Sequence, residues 1–300
     1  MFIDRLAGAV QARGNGVLVG LDPRWENLPP VLRERFANQR AEAYRAFCLE
    51  ILDVVAPLVP AVKPQMAFFE QLGPPGMQAL FDVIAAARER GLLVILDGKR
   101  NDIGSTATAY AEAYLGPPEI SAWGADALTV SPYLGSDSLQ PFVELCRQRD
   151  AGIFVLVKTS NPGSSTLQDR LSNGEPLYQH MGRLVNQLAE STLGQCGYGA
   201  VGAVVGATYP QHLQQLRALM PHTWFLVPGF GAQGGSAADV APAFDARGLG
   251  AIVNNSRGII FAHERAEFAH LAANQWQDAV AAATRAMIDQ LSAVIPQRNN

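Results

Sequence analysis

The sequence predicts a (β/α)8 barrel of the TIM type, with one helix before it and one long helix after it. Three observations carry this expectation. Eight short apolar, β-branched runs punctuate the chain, and segments of helical periodicity separate them. The polar and charged residues that interrupt the runs sit at their C-terminal ends. Runs that lack polar alternation read as strands buried on both faces, as in a parallel sheet. Eight strand–helix repeats then point to a closed barrel, with a doubly wound open sheet as the alternative.

In chain order the strand candidates are GVLVGLD (16–22), LVPAVKPQ (58–65), LLVILDGK (92–99), ALTVSPY (127–133), GIFVLVKTSN (152–161), AVGAVVGAT (200–208), TWFLVPGFG (223–231) and GAIVNNSR (250–257). Between them, 41–58 and 76–91 show the clearest helical spacing, the second stopped by Gly91. Further helices are expected over 138–150, 176–192 and 211–220, and a final Ala-rich one over roughly 264–294. The segment 162–176, PGSSTLQDRLSNGEP, is polar and bears Gly and Pro, so it is expected to be a mobile flap. No composition break or repeat divides the chain, which predicts one domain over 1–300.

Composition narrows the functional classes. With 48% hydrophobic and 17% charged residues, the chain has the material for a large core. A net charge of −4 speaks against general nucleic-acid binding. No apolar run approaches the roughly 20 residues that span a bilayer. The start, MFIDRLAGAVQARG, has no long apolar stretch, so no signal peptide is expected. Cys48, Cys146 and Cys196 are few and scattered, which suits packing roles in a reducing, cytoplasmic setting.

Of 23 basic residues only three are lysines, Lys63, Lys99 and Lys158, and all three lie at strand ends. A chain that uses Arg as its general cation reserves Lys for work a guanidinium cannot do, namely giving up a proton. The strand ends as a set carry Asp22, Lys63 with Gln65, Asp97 with Lys99, Ser131, Ser160, Thr208, Gly231, and Ser256 with Arg257. In a barrel these ends converge on the face that holds the active site.

The stretch LDGKRNDIGST (96–106) concentrates the chemistry. Side chains two apart on a strand share a face, so Asp97 and Lys99 should project together into the barrel mouth. Asp102 follows in the turn, and Lys63 comes alongside from the preceding strand. The expected array alternates in sign: Lys63, Asp97, Lys99, Asp102. Carboxylates beside an ammonium favour its charged form, which suits a proton donor. A Schiff-base lysine needs the reverse, so the array speaks against a class I aldolase. The bland reading is a salt-bridge cluster that closes the barrel.

At the other end of the site, PGFGAQGGS (228–236) and NNSRGI (254–259) follow strands seven and eight, where barrels often bind phosphate. Glycines let backbone N–H groups approach an anion, Arg257 can hold it bidentately, and Gln233 can bridge to the rest of a ligand. Gly229-Phe-Gly231-Ala-Gln-Gly234 also matches a dinucleotide fingerprint, but the next strand ends Asn254-Asn255-Ser256-Arg257 with no acid for a ribose. The sequence holds no H-E-x-x-H, C-x-x-C or P-loop, and His180, His212, His222, His263 and His270 lie away from the strand ends, so no metal site is expected.

The string DGKRNDIGST, with its Asp97-x-Lys99-x-x-Asp102 array, resembles the orotidine 5′-phosphate decarboxylase family. TSNPG and PGFGAQGG point to its longer bacterial branch, and the resemblance runs from LDP (21–23) to NSRG (255–258). It implies a homodimeric barrel that decarboxylates orotidylate to UMP without metal or cofactor. Lys99 would protonate C6 as CO2 leaves, and Asp97 would sit against the substrate carboxylate. Lys63 would complete the charge network and touch the ribose, and Asp22 would bind ribose hydroxyls. Asp102 and Thr106 would reach into the neighbouring subunit's site. Ser160 would hydrogen-bond the pyrimidine edge, and Gln233, Ser256 and Arg257 would take the phosphate. Some shorter members carry an Arg after Pro-Gly-x on strand seven, where this chain has Gly231. The resemblance gives Lys158 no role. The competing readings are an Mg²⁺-dependent sugar-phosphate lyase of the same suprafamily, which would want a glutamate where Lys63 stands, and a non-catalytic phosphate-ligand binder.

Overall fold

The computed structural model describes residues 1–231 and 234–295. Eight parallel strands close a barrel: β1 Val17–Leu21, β2 Ala61–Pro64, β3 Leu93–Arg100, β4 Ala127–Val130, β5 Gly152–Lys158, β6 Val201–Val205, β7 Phe225–Val227 and β8 Ala251–Asn255. Seven lie within the expected apolar runs, and β3 runs one residue past its own, to Arg100. Strands adjacent in sequence pair in space, and β8 closes on β1 with Val17 opposite Val253. The (β/α)8 expectation holds, and the open-sheet alternative does not.

The strands are apolar on both faces because both faces are covered. Leu18, Ile95, Phe154, Leu226 and Ile252 fill the interior. Helix Phe2–Arg13 seals the N-terminal end of the barrel with Phe2, Ile3 and Leu6, and Phe2 meets Phe154 edge to face at 6.4 Å. Outward strand residues pack on the helical ring. Helix Arg40–Val55 buries Tyr44, Phe47, Cys48, Ile51, Leu52 and Val55, an i, i+3, i+4 stripe. Helix Gly73–Glu89 ends just before Gly91, whose φ of +74° suits a glycine stop.

One helix boundary is corrected. The last helix is Trp276–Ser292, shorter than 264–294, and three short 3-10 turns between Ala262 and Gln275 precede it. There Arg265 binds the Gly258 carbonyl and Glu267, which turns the chain, and Trp276 anchors the helix start against Phe47 at 5.3 Å. The 162–176 segment also has built structure: a 3-10 turn, Pro162–Thr166, and a small hairpin pairing Leu171–Ser172 with Glu175–Pro176. Among the described residues no helix is long and apolar enough to cross a membrane.

Candidate active site

A cavity of about 540 Å³ opens at the C-terminal mouth of the barrel. Asp22, Lys63, Asp97, Lys99, Ser160, Ser256 and Arg257 all line it, so these residues bring five of the eight strand ends around one space. Gly20 makes the β1–β8 side possible. A Cβ there would lie 1.8 Å from Ser256 Oγ, so only glycine leaves room for Ser256 to face the cavity.

Asp97 is the hub. Its Oδ2 accepts from Lys63 Nζ at 2.8 Å and Gln65 Nε2 at 3.0 Å, and its Oδ1 accepts from Lys99 Nζ at 2.6 Å and Thr129 Oγ1 at 2.8 Å. Four donors saturate a carboxylate that is only 6% exposed. Burial alone would push its pKa up, but the charges of Lys63 and Lys99 and their hydrogen bonds hold it well below the usual carboxylate range. Lys63, buried at 4% exposure, is lowered by burial but held above its ordinary value on balance by Asp97 and Asp22. Lys99 keeps 47% of its side chain exposed at the cavity, where an incoming ligand can meet it.

Lys99 reaches this position by leaving regular strand geometry. Its φ is +45°, rare for a residue with a side chain, and the pairing of β3 with β4 shifts register between Leu96 and Arg100. The kink is held where Lys99 donates its backbone N–H to Thr129 Oγ1 at 2.9 Å. A Cβ at Gly98 would sit 2.7 Å from Met66 Sδ, so glycine leaves the Met66 side chain its place under the irregular step. Strained backbone of this kind concentrates at functional sites.

Some expected members are placed elsewhere. Asp102 does not join the array within its own chain; its Oδ1 accepts from the Ile103 backbone N–H at 2.8 Å, beyond the strand. Thr106 is exposed on the helix Gly104–Tyr114, outside the cavity. Ser131 and Thr208 do not line it either, because β4 and β6 present Thr129 and Val204 there instead. Lys158 is turned away: β5 bulges between Leu156 and Lys158, so Lys158 pairs with the outward-facing Val205 and points behind the strand. Gln233 lies outside the described residues.

The structure also adds residues. Thr129, Arg24, Asn254 and Asn255 line the cavity, beside the expected Gln65. Thr129 was a lone hydroxyl inside an apolar run, a signal that alternation could have supplied. Arg24 had no such signal. It stands three residues past β1, stacked over the Phe68 ring at 5.1 Å, with its Nε buried and unbonded. Asp22 Oδ1 and Asn254 Oδ1 are likewise buried without a partner. A second cavity of about 860 Å³ continues from this end and shares Arg24, Asn255 and Arg257 with the first. No group of three or more His, Cys, Asp or Glu side chains suited to a metal occurs among the described residues.

The site's charge pattern agrees with the comparisons with known proteins. The family model described as Orotidine 5′-phosphate decarboxylase / HUMPS family matches residues 16–272. The chain belongs to this family. An orotidine 5′-phosphate decarboxylase from Rhodopirellula baltica is 60% identical over 297 residues, covering 97% of this chain and 98% of that protein. One from Caldicellulosiruptor bescii is 38% identical, covering 88% and 90%. The solved OMP decarboxylase of Leishmania donovani superposes with a TM-score of 0.75 at 33% identity, covering 98% of each chain. The orotidine 5′-phosphate decarboxylase resemblance read from DGKRNDIGST therefore holds across nearly the whole length.

Proposed function

We propose that this protein converts orotidine 5′-phosphate to UMP and CO2, with Lys99 delivering the proton to C6. The observation that carries the reading is the Lys63–Asp97–Lys99 array, in which one buried carboxylate holds two ammonium groups beside the cavity. Breaking the C6–carboxylate bond leaves its electron pair in an sp² orbital that the pyrimidine ring cannot delocalise. The negative charge of the substrate carboxylate thus moves onto C6 as CO2 departs. An ammonium fixed beside that carbon binds the transition state more strongly than the substrate, and its N–H supplies the proton that completes UMP. Lys99 regains a proton from water.

The remaining residues hold the nucleotide. Asp22, with an unbonded buried oxygen, accepts from ribose hydroxyls, and Lys63 borders the same region. Ser160 faces the pyrimidine edge. Arg257 and Ser256 take the phosphate with Arg24, which supplies a second cation at the end where Gly231 offers none. Binding energy from the phosphate holds the ring at Lys99 without touching the reacting bond. Asp102 and Thr106 act in the site of a second copy, as a homodimer in the cytoplasm. Ile103, next to Asp102 in the chain, is an apolar side chain left 56% exposed, as a surface that meets a second copy would leave it in one subunit.

The Mg²⁺-dependent reading is weaker because the Lys63 ammonium stands where a metal-holding carboxylate would be needed. The deciding experiment is loss of orotate absorbance on adding orotidylate to the purified protein in EDTA. Turnover is expected. Activity that EDTA removes and Mg²⁺ restores would transfer the case to the lyase reading, and UMP binding without turnover would leave a binder.

A further inference from the structure

Lys158 is the one lysine the reaction does not use, yet it is 1% exposed. A buried ammonium is costly unless paired and hydrogen-bonded. Its surroundings meet that demand from several sides. Nζ forms an ion pair with Asp169, lies 3.5 Å from Ser164 Oγ, and sits over the Tyr178 and Tyr209 rings at 5.4 and 5.5 Å. His212 packs against both rings, at 5.1 and 5.2 Å. The two tyrosines belong to the barrel's helical side: Tyr178 lies in helix Leu177–Glu190, and Tyr209 precedes helix Pro210–Leu219. Ser164 and Asp169 belong to the excursion that follows β5.

That excursion is the wall of the active site. Thr159, Ser160, Asn161 and Gln168 line the main cavity. They are tied to one another: Thr159 donates its backbone N–H to Gln168 Oε1 at 2.9 Å, Gln168 Nε2 donates to Thr159 Oγ1 at 2.9 Å, and Gln168 donates its backbone N–H to the Ser164 carbonyl at 2.9 Å. Gln168 therefore faces the cavity while its neighbour Asp169 faces the ammonium behind the wall. Ser164 and Asp169 flank Gln168 in sequence, and both are held by one Nζ.

We propose that Lys158 and Asp169 form a latch that positions Ser160 and Gln168 against the pyrimidine ring, so that Lys158 is a positioning residue for recognition of the base. The aromatic cage fixes the lysine to the barrel, and the ion pair fixes the wall to the lysine. This rests on the orotidylate reading of the cavity. It accounts for a lysine on the outer side of β5, where an apolar residue would pack at no desolvation cost, and for the bulge that places it there against the strand's alternation.

The test compares two ligands that differ only in the base. Asp169→Asn keeps the shape of the half-exposed partner and removes its charge; Lys158→Met removes the ammonium. For Asp169→Asn, UMP affinity should fall about tenfold, equal to ~1.4 kcal/mol, whereas ribose 5-phosphate affinity should stay at the wild-type value. KM for orotidylate should rise in step, and Asp169→Glu should restore part of the loss. Lys158→Met, if it folds by circular dichroism, should show the same selective loss. Equal losses for UMP and ribose 5-phosphate, or no loss for either in Asp169→Asn, would overturn the latch. Wild-type turnover measured alongside separates this failure from failure of the functional reading, which would show as no turnover in the unmutated protein.

Discussion

Lys99 Nζ lies 2.6 Å from Asp97 Oδ1, and the lysine reaches that oxygen through a left-handed backbone step at φ +45°. The ammonium is thereby held at the rim of the cavity while the carboxylate stays beneath it, saturated by three other donors. A group placed this way is preorganised: little rearrangement is needed when charge develops above it.

Lys99→Ala should remove turnover while UMP still binds. Loss of a positioned proton donor costs on the order of 10²–10⁴-fold, and loss of its electrostatic stabilisation adds to that. Absorbance at steady state and UMP titration by calorimetry measure the two halves. Turnover near the wild-type rate would remove Lys99 from the chemistry.

Asp97→Asn should destabilise the fold as well as stop the reaction, because Lys63 would remain buried with its main partner neutral. Breaking one side of a buried pair costs about 3–5 kcal/mol. The pH dependence follows from the directions of the shifts. Asp97 is held below its ordinary 3.8, so its contribution is complete above that pH and fades as pH falls toward the folded value. Lys63 is held above its ordinary 10.5, so its contribution is complete below that pH and fades as pH rises through the folded value. Urea midpoints for wild type and Asp97→Asn should therefore differ by a constant amount from about pH 5 to 9 and converge in acid. A gap that widens as pH drops would contradict the ion-pair account.

Asp102→Ala and Lys99→Ala proteins should each be inactive alone and regain activity when mixed and allowed to exchange subunits. If Asp102 serves the partner's site, random pairing rebuilds an intact site in about a quarter of all sites. Mixtures that stay inactive after demonstrated exchange would place Asp102 in its own chain's chemistry or outside the chemistry altogether.

Arg24→Ala and Arg257→Ala should each raise KM for orotidylate about tenfold or more with a smaller effect on kcat, as charge-assisted contacts to phosphate worth roughly 1.5–3 kcal/mol are lost. Neither change should affect binding of orotidine, which lacks the phosphate. An Arg24→Ala protein with unchanged KM would return the phosphate to Arg257 and the loop glycines.

The strand count, the barrel and the central Lys63–Asp97–Lys99 triad were legible in the sequence. Burial on both faces leaves an unbroken apolar run, and a charged residue at the end of such a run has only the mouth to face. Asp22, Ser160, Ser256 and Arg257 came to the same cavity for the same reason. Alternation failed where the backbone departs from it. The β5 bulge turned Lys158 outward, whereas Lys99 lies on the expected side although it gets there by a left-handed step that a flat strand does not offer. Thr129 replaced Ser131 because which hydroxyl faces inward is set by where β4 stops pairing, a property of its neighbours. Arg24 and the Asp169 latch on Lys158 join residues from separate parts of the barrel wall, and only the closed structure brings their atoms together. The sequence by itself determined which side chains stand at strand ends, since the period of two and the apolar pattern are local. Tertiary structure decided which of them meet, because bulges, glycine gaps and packing across strands depend on elements distant in the chain.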